Sequence, residues 1–127
     1  MEQTIGALSP KIIMLLGLNL EDNQPIFLGE SNINHMLSRH PGDFQKYGHY
    51  IAQILSSPDY VGQNPKDGSI EYVKEFQIDN EFVKVAVRLS GGGKLYARSL
   101  YVLNNNRVNN FIKRGTLKKF DEFDKKI

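Results

Sequence analysis

The stretch Phe82-Val83-Lys84-Val85-Ala86-Val87-Arg88-Leu89-Ser90-Gly91-Gly92-Gly93-Lys94-Leu95-Tyr96-Ala97-Arg98-Ser99-Leu100-Tyr101-Val102-Leu103 reads as a β-hairpin. Val83, Val85, Val87 and Leu89 share one side of a period-two alternation, and Lys84 and Arg88 the other. Triple glycine supplies a loop that reaches positive φ without strain. Pairing Ser90 with Leu95 sets Val83 opposite Val102, Lys84 opposite Tyr101, Val85 opposite Leu100, Ala86 opposite Ser99 and Arg88 opposite Ala97. A slip of one would oppose the valines to Tyr101, Ser99 and Ala97, a poorer core on exchanged faces. The chosen register leaves an open face bearing Lys84, Arg88, Ser99 and Tyr101. It also strands Arg98 on the apolar side between Tyr96 and Leu100, where it either snorkels at the sheet edge or marks a wrong register.

Working outward, Ile70 to Ile78 alternates as a further strand closed by an Asp79-Asn80 turn, and a short strand is predicted near Tyr60-Val61. Upstream the period is helical. Ser9-Pro10 starts a helix over Lys11 to Leu18, because a hydroxyl cap and proline at the first position both suit a helix start. Thr4 to Leu8 and Ile26 to Leu28 read as short strands. Ser31 or Asn32 caps a second helix running to Arg39, and His40-Pro41 interrupts it. A third helix carries Phe44, Tyr47, Ile51, Ile54 and Leu55 and ends at Pro58. A short C-terminal helix runs from Arg107 to Arg114 and stops at Gly115. The fold class is therefore α+β: N-terminal helices packed on one face of an antiparallel four-stranded meander, followed by a short helix. Residues 1–127 form one domain with its core over about 25–119, and 120–127 read as a frayed tail.

Composition narrows the function. The chain has 127 residues and no cysteine, which excludes disulfides and thiolate metal sites. Its longest apolar run, Ile12 to Leu16, is too short to span a bilayer. Glu2 and the lack of a charged-then-apolar leader predict a cytoplasmic protein with no membrane partner. The formal net charge is only +2, yet between Phe82 and Phe120 nine lysines and arginines occur without one acid. Such a concentrated excess points to a polyanion, and Lys84, Arg98, Lys113, Arg114 and Lys118 are candidate substrate-binding residues. The plain alternative is the solvated face of a half-buried sheet.

Three histidines are present. Helical geometry sets His35 beside Arg39 and away from the Ile33/Met36/Leu37 stripe, while His40 falls at the helix end. A surface His35 and a packing His40 are the structural alternative, and His49 reads as exposed. The spacing of His35 and His40 matches no zinc helix motif, and Gly91-Gly92-Gly93-Lys94 lacks the serine or threonine and the helix of a phosphate loop. No Gly-x-Ser-x-Gly or evident carboxylate cluster is present, so any phosphodiester cleavage is predicted to need neither metal nor cofactor.

The chain resembles the phage- and toxin-associated nucleases of the barnase/EndoU/colicin/RelE-like superfamily. The likeness is carried by Asn32-Ile33-Asn34-His35-Met36 leading to Arg39-His40-Pro41, by Ser57-Pro58-Asp59-Tyr60-Val61, and by Ile70-Glu71-Tyr72-Val73. Val85-Ala86-Val87-Arg88, Arg98-Ser99-Leu100-Tyr101 and Ile112-Lys113-Arg114-Gly115-Thr116-Leu117-Lys118 complete it, over about residues 25–119. The resemblance implies a cleft on the sheet face and metal-independent cleavage of RNA, often tRNA or ribosome-bound mRNA. It makes His35, His40, Arg88, Ser99 and Tyr101 the candidate catalytic set, with serine standing where threonine is expected. A cognate immunity or antitoxin protein is a further candidate partner.

The chemistry that fits is attack of a ribose 2′-hydroxyl on the adjacent phosphorus. It requires a base, an acid and cations around the phosphoryl oxygens, roles suited to histidine, arginine and lysine. A non-catalytic nucleic-acid-binding module and a phage accessory protein-interaction domain are the rival readings.

Overall fold

A computed structural model describes residues 2–121. Its elements run β1 (Gln3–Ala7), α1 (Pro10–Leu16), β2 (Pro25–Leu28), α2 (Glu30–Arg39), α3 (Pro41–Tyr47), α4 (Ile51–Ser56), β3 (Tyr60–Gln63), β4 (Ile70–Phe76), β5 (Glu81–Leu89), β6 (Leu95–Leu103), α5 (Asn105–Lys113) and β7 (Leu117–Lys119). The α+β class holds, but the expected four-stranded meander is only the inner part of a wider sheet. β3 to β6 are successive antiparallel neighbours within a seven-stranded sheet ordered β1-β2-β6-β5-β4-β3-β7 among the described residues. β7 pairs with β3, and β2 lies parallel to β6.

The hairpin register is as read from the sequence for Val83–Val102, Lys84–Tyr101, Val85–Leu100 and Ala86–Ser99. Beyond Ala86 it shifts by one, so Val87 pairs with Ala97 and Arg88 with Tyr96 rather than Ala97. Arg98 is the extra residue of a β-bulge. The bulge carries its guanidinium out of the apolar layer and keeps Ala97 and Leu95 buried beneath the sheet.

Local chemistry sets the helix ends. Ser9 Oγ accepts the Ile12 N–H at 3.2 Å, and Gly17 closes α1 in the left-handed region at φ +63°. α2 begins two or three residues earlier than expected, with Gly29 rather than Ser31 or Asn32 as its cap. Asn32, inside the first turn, reaches back to accept the Gly29 N–H at 2.8 Å. The expected third helix is broken into α3, a 3-10 turn at Gly48–Tyr50, and α4. Asn104, not Arg107, opens α5, its side chain accepting the Asn106 N–H at 2.9 Å.

Helices occupy both faces and one edge of the sheet, not one face alone. The main core joins Ile12, Ile54 and Leu55 from α1 and α4 to Val61, Tyr72, Val83, Val85 and Leu100 on the strands. On the opposite face Val108 of α5 packs with Val73, Leu103 and Leu117. β2 pairs with β6 only at Ile26–Leu95 and Phe27–Tyr96. α2 and α3 run along β6 and turn Met36 and Tyr47 into the main core. There Asp43 Oδ2 accepts the Val102 N–H at 3.0 Å, satisfying an edge donor. Phe120 is held rather than frayed: its N–H donates to the Asp59 carbonyl at 3.0 Å, and Lys11 lies over its ring. The rest of the expected tail, 122–127, lies outside the described residues. No helix among the described residues is long and apolar enough to cross a membrane.

Candidate active site

Cross-strand pairing lays three rows of side chains over the face opposite the main core. One row is Phe27, Tyr96 and Arg88, on β2, β6 and β5. The next is Ser99, Ala86, Glu71 and Gly62, from β6 to β3. The third is Tyr101, Lys84, Val73 and Tyr60. The middle row is small apart from Glu71, so it floors a trough between larger neighbours. α5 closes one end of this face through the packing of Val108 and Leu103.

His40 enters from the edge. It sits in the joint between α2 and α3, with φ −143° and its N–H donating to the Met36 carbonyl at 3.0 Å. Pro41 forbids helical continuation there and starts α3. The His40 ring stacks on Tyr101 with centroids 4.9 Å apart and planes inclined by 26°. Lys84 Nζ lies 4.8 Å from the Tyr101 ring centre and 2.8 Å from Glu71 Oε2. The Lys84 and Glu71 side chains are only 12% and 11% exposed, so this is an ion pair largely removed from water. Burial alone would lower the Lys84 pKa; the Glu71 carboxylate and Tyr101 hydroxyl outweigh it, and the net displacement is upward. Asn64 Nδ2 stands 3.4 Å from the same carboxylate oxygen. At the margin the Ser69 N–H and hydroxyl hold the Asp67 carboxyl below its ordinary value, with Arg88 and Lys84 adding to the effect.

His35 lies elsewhere. It lines a cleft of about 680 Å³ with Arg98, Tyr96, Ser90, Asn32 and Glu2. The Glu2 carboxylate accepts from the Tyr96 hydroxyl at 2.8 Å and pairs with Lys94 at 3.4 Å, contacts that keep its pKa low. The predicted set therefore divides. Tyr101, Lys84 and His40 form one chain of contacts, and Ser99 and Arg88 occupy adjacent rows of the same face. His35 and Arg98 share a second cleft near Tyr96. Lys113 and Arg114 are exposed at the end of α5. Lys118 departs from all of these: its β7 position pairs with core-facing Val61, and its ammonium donates to the Leu15 carbonyl of α1 at 3.1 Å. His49 packs against Tyr50, with ring centroids 4.1 Å apart.

Sequence reasoning missed Glu71, which makes the basic face a mixed one. Carrying the hairpin register one strand further would have set Glu71 opposite Ala86 on the open face. Asp43 and Phe27 left no local signal, since both act through partners more than fifty residues away. Among the described residues no three His, Asp or Glu side chains converge as metal ligands.

The chain matches the family described as phage-Barnase-EndoU-ColicinE5/D-RelE like nuclease3 over residues 2–110, which takes in β1 and every strand to β6. No curated protein and no solved structure matches it. The chain belongs to the phage barnase–EndoU–colicin E5/D–RelE-like nucleases.

Proposed function

We propose that this nuclease cuts RNA without a metal ion, by attack of a ribose 2′-hydroxyl on the adjacent phosphorus, in the trough beside Tyr101. The observation that carries the reading is the His40–Tyr101–Lys84–Glu71 chain, which combines a proton-transferring ring, a cation and a carboxylate within successive contacts. In the reaction the 2′-oxygen bonds to phosphorus as its proton passes to a base. The bond from phosphorus to the 5′-oxygen then breaks as that oxygen takes a proton from an acid. Glu71 is the carboxylate for the first transfer and His40 the acid for the second. Lys84 and Arg88 steady the phosphoryl oxygens, arginine with a fork that grips two of them. Ser99 supplies a hydroxyl on the trough floor, and Tyr101 fixes the imidazole.

His35 is assigned to the flanking cleft, where with Arg98 it contacts substrate. The substrate class, tRNA or mRNA, and a toxin or prophage setting with a cognate antitoxin rest on family membership alone. The test is cleavage and binding measured separately for His40→Ala and Glu71→Gln. Loss of cutting with retained RNA binding is the expected result. Wild-type RNA binding with no cutting would instead favour a binding module.

A further inference from the structure

We propose that Phe27 and Tyr96 form a stacking platform for a base of single-stranded RNA that flanks the cleaved phosphate, a reading that rests on the ribonuclease function proposed above. The β-bulge carries the argument. Tyr96 and Tyr101 are five residues apart on β6, and in a regular strand they would project from opposite faces. The extra residue Arg98 brings both tyrosines to the trough face. Parallel pairing with β2 then sets Phe27 beside Tyr96, with ring centroids 5.9 Å apart.

Both rings remain partly exposed, and cations surround them. Lys94 Nζ lies 5.2 Å from the Phe27 ring centre, Arg88 is the cross-strand partner of Tyr96, and Arg98 lines the cleft beside it. Glu2 accepts from the Tyr96 hydroxyl, at the edge of the ring rather than over its face. Clefts of about 590 and 680 Å³ border Phe27 and Tyr96 respectively. Aromatic faces interleaved with lysine and arginine are what unpaired bases and their phosphates require, whereas duplex RNA hides its base faces. The distance along β6 from Tyr96 to Tyr101, about 15 Å, separates this platform from the His40 end and assigns it to a neighbouring nucleotide.

The test uses 2′-O-methyl oligonucleotides, which 2′-hydroxyl attack cannot cut, each with one 2-aminopurine moved position by position. Wild-type protein should quench the fluorophore at one flanking position. Tyr96→Phe keeps the ring and should retain the quench at that position. Tyr96→Leu, which preserves apolar bulk in the strand, should lose the quench and weaken binding roughly 5- to 150-fold. Unchanged quench and affinity in a folded Tyr96→Leu protein would overturn the platform, even where RNA is still cut. Tyr96-dependent binding in a protein that never cuts RNA would sustain the platform and defeat the ribonuclease reading. Failure of the wild type to bind single strands would overturn the platform outright.

Discussion

The His40 imidazole stacks on the Tyr101 phenol at 4.9 Å, so a residue from a helix joint is held over the sheet face by a residue from its sixth strand. Asp43, three residues on, pins the same joint to β6 through the Val102 N–H. A titratable ring is thereby fixed without belonging to the sheet itself.

Replacing His40 with alanine should lower the cleavage rate by about 10²–10⁴ while leaving RNA affinity nearly unchanged. His35→Ala should instead weaken binding and leave the single-turnover rate largely intact. Single-turnover cleavage at saturating protein, with affinity measured in parallel, separates the two. Equal rates for wild type and His40→Ala would make the histidine structural.

The Lys84–Glu71 pair makes a prediction about stability as well as activity. Lys84→Met leaves a buried carboxylate without its cation and should cost about 3 kcal/mol in urea unfolding. Adding Glu71→Leu should restore much of that loss, because an apolar pair of similar bulk is tolerated where a lone charge is not. The double variant should be stable and inactive. Recovered cleavage in it would remove both residues from the chemistry.

How much of this was legible in the sequence follows from how local each signal is. The hairpin register from Val83 to Ala86 could be read because Val83, Val85, Val87 and Leu89 alternate and allow one good pairing. The bulge could not, since one inserted residue leaves composition unchanged; only the misfit of Arg98 between Tyr96 and Leu100 hinted at it. The parallel β2–β6 contact joins residues far apart in the chain and had no local trace. β7 offers one buried residue, Leu117, in a strand of three, too little for a period. Among the candidate site residues, Lys84, Arg88, Ser99 and Tyr101 could be set on the open face by alternation; Arg98 could not, because of the bulge, and the approach of His40 depends on the turn at Pro41.

Gly62 lies under the chain that leads into β7, and a Cβ there would overlap the Thr116 carbonyl oxygen. Gly62→Ala should destabilise the fold by about 1–3 kcal/mol, since the obstacle is backbone that cannot rotate away. Thermal unfolding of the variant checks this.

Alkaline stability should depend on Tyr47. Its buried hydroxyl donates to Glu81 Oε1 at 2.6 Å; burial, then Glu81, push its pKa from 10.0 to about 12. The folded state therefore keeps a proton that the unfolded chain releases above pH 10. That contribution is complete below pH 10 and is lost as pH rises to about 12. The midpoint of thermal unfolding should fall across this span, and less steeply for Tyr47→Phe.

The central claim is most directly tested by incubating the purified protein with total RNA in excess EDTA and mapping the product ends. Cleavage that persists in the chelator and yields 2′,3′-cyclic phosphate and 5′-hydroxyl ends is the predicted result. Cleavage abolished by EDTA and restored by magnesium, or products with 5′-phosphate ends, would contradict it.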